Sequence, residues 1–251
     1  MKKIAFVTGA TAGIGKATAR LLAKNNYDLI LCGRRKEMLK DIENELKGYG
    51  AEVYAAKLDV RKRKEVETFF EDLPDRWKNM DVLVNNAGLA AGLDSFAGGN
   101  LDDWDQMVDT NIKGLLYVSR MVMPLMVNRR SGHIVNIGSI AGKEIYTGGN
   151  VYCGTKHAVD ALSRSMRREL AEFDIRVSGI HPGAVETEFS LVRFKGDAER
   201  SKKVYEGYQS LVANDIAEAI LWCLNQPKHV NINELTIMPL AQPAAGVVFK
   251  K

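Results

Sequence analysis

Short runs of apolar and β-branched residues alternate along this chain with longer stretches whose apolar positions recur at helical spacing. That alternation predicts a parallel sheet wrapped by helices, an α/β fold. Strands are expected at Lys3–Thr8, Asp28–Cys32, Val53–Lys57, Asp81–Asn85, Gly132–Gly138, Arg176–His181 and Glu234–Met238. Several are continuous apolar runs, such as Ile4-Ala5-Phe6-Val7, as required of strands covered on both faces. Helices are expected at about Gly13–Asn25, Arg35–Lys47, Lys62–Trp77, Asp102–Arg129, Tyr152–Phe173 and Asn214–Asn225. Pro124 lies inside the fourth of these, so a kink or break is expected there.

The periodicity weakens between Pro182 and Ala213, where Phe189, Arg193, Phe194, Lys195 and Gly196 precede the charged run Asp197–Lys203. A long irregular insert in a compact domain is costly to order without a function. This one follows a strand's carboxyl end, where open α/β sheets bind ligands, so a lid at about 184–213 is expected. A mobile surface helix pair is the alternative.

No Pro/Ser-rich linker, repeat or low-complexity tract divides the 251 residues, and one domain over 1–251 is expected. Apolar residues make up 46% and charged residues 26%, the balance of a globular enzyme. The net charge of +4 is mild. Arg61-Lys62-Arg63-Lys64 alternates into Glu65 and Glu67, which reads as a solvated helix face rather than a nucleic-acid contact. Cys32, Cys153 and Cys223 show no metal-ligand or disulfide spacing. Met1-Lys2-Lys3 is followed by only four apolar residues, too few for a signal peptide, and no run approaches the ~18 of a membrane span. A cytoplasmic protein binding neither nucleic acid, metal nor membrane is expected.

The candidate chemistry begins at the first turn. Thr8-Gly9-Ala10-Thr11-Ala12-Gly13-Ile14-Gly15 stands between a strand and a helix. Glycines there let the backbone turn sharply and approach a pyrophosphate, which the helix N-terminus favours through free N–H groups and its dipole. The spacing Gly-x-x-x-Gly-x-Gly differs from the commoner Gly-x-Gly-x-x-Gly dinucleotide fingerprint. A carboxylate about 20 residues beyond such a loop binds the adenosine ribose of NAD. Here the second strand runs instead into Arg34-Arg35, two guanidiniums suited to a ribose 2′-phosphate, and the cofactor expected is NADP.

Tyr152 and Lys156 stand one helical turn apart in Asn150-Val151-Tyr152-Cys153-Gly154-Thr155-Lys156, and Ser139 precedes them by a short loop. A phenol, an ammonium and a hydroxyl so spaced can take a proton from an alcohol or return one to a carbonyl. A free phenol, with a pKa of about 10, is a poor base at neutral pH. The Lys156 ammonium and the positive nicotinamide should both favour the phenolate. Ser139 should orient the substrate oxygen, although it could equally cap a turn.

In order along the chain stand the Gly-rich turn, Asp59-Val60, Asn85-Asn86-Ala87-Gly88, Asn111, Ser139, Tyr152-x-x-x-Lys156 and Pro182-Gly183. Over essentially its whole length the chain resembles the short-chain dehydrogenase/reductase family. The resemblance implies a Rossmann-type sheet of seven parallel strands. It implies Tyr152 as general acid/base, and Lys156 as a partner of the nicotinamide ribose. Asn111 would hold a water in a proton relay from Lys156 to solvent. Cofactor residues implied are Gly9, Thr11, Ala12, Gly13, Ile14 and Gly15 in the turn, with Arg34 and Arg35. Asp59 would meet the adenine amine and Val60 offer its backbone N–H, while Asn86, Ala87 and Gly88 would run beside the adenine ribose. Pro182, Gly183, Val185 and Thr187 would pass the nicotinamide carboxamide. His181 is given no catalytic role. Family habit also implies a homotetramer, through helices around Asp102–Arg129 and Tyr152–Phe173.

The runs Gly149-Asn150-Val151-Tyr152, Val192-Arg193-Phe194-Lys195-Gly196-Asp197 and His229-Val230-Asn231-Ile232-Asn233-Glu234-Leu235 resemble the family's NADP-dependent 3-hydroxy acid dehydrogenases. These are also described as serine or L-allo-threonine dehydrogenases. The substrate expected is accordingly a small hydroxy acid such as serine, L-allo-threonine or 3-hydroxypropionate, held beside Ser139 and Tyr152. Its carboxylate needs a cationic partner once water is excluded. Arg193 is the candidate, against a role in pinning the lid. A 3-oxoacyl-carrier-protein reductase shares every catalytic residue, and Arg129 and Arg130 could attract an acidic carrier. A non-catalytic NADP(H) sensor is the remaining alternative.

Overall fold

The computed structural model describes residues 2–251. Seven parallel strands form one sheet: β1 (Lys3–Thr8), β2 (Tyr27–Gly33), β3 (Val53–Lys57), β4 (Val82–Asn85), β5 (Gly132–Ile137), β6 (Ile175–Pro182) and β9 (Glu234–Ile237). Their order across the sheet is β3-β2-β1-β4-β5-β6-β9. All pairings are parallel, with Val7 of β1 in register with Leu31 on one side and Val84 on the other. The order reverses between β1 and β4, which opens a crevice beyond their carboxyl ends.

Alternation along the strands divides the core into two layers. Ala5 and Val7 of β1, with Leu29 and Leu31 of β2, pack on α1 (Gly13–Lys24), α2 (Lys36–Lys47) and α9 (Ala213–Leu224) through Leu22, Ile42 and Ile220. Ile4, Phe6 and Ile30 point the other way, onto α3 (Arg63–Glu71), α5 (Leu115–Arg129) and α6 (Asn150–Leu170). Phe6 stacks on Phe69 with ring centroids 5.6 Å apart. Leu115, Val118 and Val122 belong to this layer and face the sheet.

Two expected helices are divided. The 62–77 stretch is helical only over α3, because Pro74 cannot donate to a helix and restricts the residue before it. Trp77 is buried from a separate 3₁₀ turn, Asp75–Lys78, and this buried aromatic extended the apparent periodicity. The 102–129 stretch opens with α4 (Leu101–Val108), capped by the Asn100 side chain, which accepts from the N–H groups of Asp102 and Asp103. It then widens into a π segment over Asp109–Gly114 before α5. The break therefore falls well before Pro124, which sits exposed within α5 and costs one bond on its solvent side.

The 184–213 segment has structure of its own. β7 (Val185–Glu186) pairs in parallel with β8 (Leu211–Val212), enclosing α7 (Phe189–Arg193) and α8 (Ala198–Lys203). No helix among the described residues is long and apolar enough to cross a membrane. The Arg61–Lys64 run is absorbed locally: Arg61 pairs with Asp59, Lys62 with Glu65 and Arg63 with Glu67.

Candidate active site

The crevice at the carboxyl ends of β1 and β4 is a cleft of about 400 Å³ lined from the first turn to the 184–213 segment. Gly9, Thr11, Ala12, Gly13 and Ile14 form one wall; Arg34, Arg35, Asp59 and Val60 border one end. Ser139, Tyr152, Lys156, Pro182, Gly183, Val185 and Thr187 border the other. Gly15 stands just behind, where a Cβ would lie 2.5 Å from the carbonyl oxygen of Gly9. Gly13 adopts φ +50°, and a side chain there would press on Thr187.

The cleft fits a dinucleotide on its own geometry. Ala12 precedes α1 without a side chain that can cap it, and no acid stands in the first turn. The first N–H groups of α1 are thus free for an anion. Arg34 is exposed and forms no ion pair among the described residues. Arg35 is engaged: its Nη1 pairs with Glu188 at 2.7 Å, and its Nε and Nη2 donate to Thr11 Oγ1. Asp59 carries a fork of hydrogen bonds from Arg61, which holds its carboxyl below the usual range against the opposing effect of burial. From sequence Arg61 reads only as part of a solvated basic run, yet it lines this end of the cleft.

Asn86 stitches the two strands that flank the crevice. Its side-chain amide donates to the carbonyls of Thr8 and Gly9, while Thr8 Oγ1 accepts from the N–H groups of Asn86 and Ala87. Ala87 and Gly88 are left to face the cleft. Thr187 Oγ1 accepts from the N–H of Phe189 and so starts α7.

At the other end, α6 presents Tyr152 and Lys156 on one face. Ser139 leaves the end of β5; its hydroxyl accepts from the N–H of Ala141 and donates to the Pro182 carbonyl. It therefore caps a turn, as one sequence reading has it, and also borders the cleft. Lys156 is buried and donates from Nζ to the Ile137 carbonyl at 2.9 Å. Burial pushes its ammonium down to about 8. Tyr152 is 8% exposed, and burial pushes its phenol well above the ordinary value, with Ser139 and Arg193 acting in the opposite direction. The expected lowering by Lys156 is not what dominates, because its Nζ stands 6.0 Å from the phenol ring and desolvation is the larger effect.

Asn111 lies in the π segment and spends its side chain on structure. Its amide donates to the Leu89 carbonyl and Thr155 Oγ1, and its oxygen accepts from the Leu89 N–H.

Arg193 ties the 184–213 segment to the loop after β4. Its Nε donates to the Gly92 carbonyl, its Nη1 donates to Tyr146 Oη, and its carbonyl accepts from the Gly92 N–H. Its guanidinium carbon lies 5.8 Å from the Tyr152 ring. The Nη2 atom is buried with no hydrogen-bond partner. Lys195 is instead paired with Asp103 at 2.8 Å. Phe189, whose ring lies 5.7 Å from that of Tyr152, Val192 and Leu89 complete an apolar wall that sequence reading did not single out.

A profile of the short chain dehydrogenase family matches residues 3–197. The chain belongs to the short-chain dehydrogenase family. It is 48% identical to an NADP-dependent 3-hydroxy acid dehydrogenase of Salmonella typhi, over 97% of this chain and 98% of that relative. A Schizosaccharomyces pombe enzyme with the same description is 41% identical, over 99% and 97%. Among solved structures, the closed form of a serine dehydrogenase complexed with NADP+ superposes with a TM-score of 0.93 at 45% identity, covering 99% of both chains. The serine dehydrogenase of Escherichia coli gives 0.83 at 41% identity, over 95% and 99%. The seven-stranded sheet and the oxidoreductase class expected from sequence both agree with these matches.

Proposed function

We propose that this enzyme oxidises the 3-hydroxyl of a short 3-hydroxy acid with NADP and catalyses the reverse reduction of the 3-oxo acid. Serine, L-allo-threonine and 3-hydroxypropionate are the candidate substrates. The observation that carries the reading is the unpartnered, buried Nη2 of Arg193 beside Tyr152. A cationic donor without an acceptor is costly to bury, and a substrate carboxylate would satisfy it. The relatives named as acting on 3-hydroxy acids with NADP support the same substrate class.

NADP, when bound, would supply the hydride acceptor. The first turn would cradle its pyrophosphate, Arg34 and Arg35 its 2′-phosphate, and Lys156 its nicotinamide ribose. Tyr152 would take the proton of the substrate hydroxyl during oxidation and return it during reduction. Ser139 would orient the substrate oxygen, and Phe189, Val192 and Leu89 would exclude water. The 184–213 segment would act as a lid, with Arg193 both pinning it to Gly92 and meeting the substrate. The proposed setting is the cytoplasm, whose reducing conditions suit the buried free thiols of Cys32, Cys153 and Cys223. The proposed assembly is a homotetramer on family habit, with contacts other than Leu115, Val118 and Val122, which face the subunit's own sheet.

The carrier-protein alternative is disfavoured by position. Arg129 and Arg130 precede the start of β5, whereas Ser139 follows its end, about 20 Å away along the strand. Both arginines are also occupied, Arg129 by the carbonyls of Met80 and Leu125 and Arg130 by Glu172 and Asp174.

Arg193→Met tests the substrate reading. A carboxylate partner predicts a large loss of kcat/KM on 3-hydroxypropionate and little change on 1,3-propanediol, an uncharged alcohol of similar size. Equal losses on both would assign Arg193 to the lid alone and remove this support for a hydroxy-acid substrate.

A further inference from the structure

Tyr146 lies in the loop between Ser139 and α6, and nothing in its sequence context marks it as functional. Its ring is fixed by two close approaches. A Cβ at Gly149 would stand 2.6 Å from Tyr146 Cζ, and one at Gly246 would stand 2.8 Å from Tyr146 Cβ. Glycine at both positions leaves the space the ring fills, and Gly246 adopts φ +73° in doing so.

The hydroxyl held by this packing accepts a hydrogen bond from Arg193 Nη1 at 2.9 Å. The Arg193 guanidinium carbon lies 5.6 Å from the Tyr146 ring and 5.8 Å from the Tyr152 ring, so both phenols flank one cation. Burial keeps the Tyr146 phenol above its ordinary value and therefore protonated at neutral pH. Its own proton goes to no protein acceptor among the described residues. Arg193 Nη2 is likewise without a partner. Two donors, one charged and one neutral, thus stand side by side next to the proposed acid/base. A carboxylate has two oxygens and can accept both.

We propose that Tyr146 determines specificity at this site by donating the second hydrogen bond to the substrate carboxylate, beside Arg193 Nη2. The proposal rests on the 3-hydroxy acid reading above. Arg193 supplies the charge, and Tyr146 sets which way the carboxylate faces and so where the 3-hydroxyl meets Tyr152. An uncharged terminus gains less from the pair, since a hydroxyl carries no negative charge to meet the guanidinium.

The test compares kcat/KM for 3-hydroxypropionate and 1,3-propanediol in the wild type, Tyr146→Phe, Arg193→Met and the double variant, with NADPH binding as the check on folding. In Tyr146→Phe the acid-to-diol ratio is expected to fall about tenfold or more. Adding Tyr146→Phe to Arg193→Met is expected to lower the ratio further. An unchanged ratio in Tyr146→Phe, or equal losses on both substrates, overturns the contact. No further change in the double variant also overturns it, because Tyr146 would then act only by holding Arg193. If Tyr146→Phe does not bind NADPH, Tyr146→Met fills the same space without a donor and carries the same expectation. A wild type that does not prefer the acid defeats the 3-hydroxy acid reading itself, whatever the variants do.

Discussion

Arg35, from the loop after β2, and Glu188, from the start of α7, are joined across the cleft by an ion pair of 2.7 Å. A residue proposed to hold the 2′-phosphate is therefore already held by a carboxylate of the proposed lid. An incoming phosphate must draw Arg35 away from Glu188, whereas Arg34 has no such competitor among the described residues.

The cofactor prediction follows from that competition. Arg34→Ala and Arg35→Ala are each expected to weaken NADP binding far more than NAD binding. Glu188→Gln is expected to strengthen NADP binding by a modest factor, about fivefold or less, because the pair is exposed. Titration of each variant with both cofactors is the check. A wild type that uses NAD as readily as NADP, or a Glu188→Gln variant that loses NADP affinity, contradicts the assignment.

Buried phenol and buried ammonium make the two reaction directions respond differently to pH. Burial raises the Tyr152 phenol and lowers the Lys156 ammonium to about 8. At neutral pH Tyr152 is protonated, ready to give a proton to a carbonyl but not to take one from an alcohol. The kcat/KM for oxidation is expected to climb up to about tenfold per pH unit from neutral into the alkaline range. Reduction should stay level through neutral pH and decline as the phenol is lost. An oxidation profile that falls between pH 7 and 9 contradicts this ordering.

Two buried histidines set an acid limit on stability. Burial pushes His133 down to about 3 and His181 to about 4, from an ordinary 6.5. Between pH 6.5 and about 4 the unfolded chain binds protons at these sites and the folded chain does not. Stability therefore falls as pH falls through that window, by several kcal/mol in all. Asp160 and Glu234 are held below the usual carboxylate range, and their contribution is lost only under about pH 4.5. Thermal midpoints should already drop between pH 7 and 5.5, and His133→Gln should reduce that early drop. Midpoints flat down to pH 4.5 contradict it.

The sheet was legible in the sequence because buried parallel strands leave continuous apolar runs. Lys3–Thr8 and Val53–Lys57 end where the structure ends them. Local signals also placed the helices, whose boundaries failed where tertiary contacts intervene. Trp77 is apolar and in phase but is buried from a turn after Pro74. The π segment at Asp109–Gly114 has no periodic signature; Asn111 anchors it to Leu89, far away in sequence. Ser139, Tyr152 and Lys156 were readable as a spacing. Tyr146 and the Arg35–Glu188 pair were not, because their partners lie 47 and 153 residues away in the chain.

Formation of reduced nicotinamide from NADP and 3-hydroxypropionate, in the wild type beside Tyr152→Phe, tests the central claim most directly. The variant removes only the titrating hydroxyl. The account predicts ready NADPH formation by the wild type. In Tyr152→Phe it predicts a loss of about 100-fold or more in kcat, with NADP affinity nearly unchanged. A wild type that forms no NADPH from any short 3-hydroxy acid, or a phenylalanine variant that keeps near-native turnover, would contradict it.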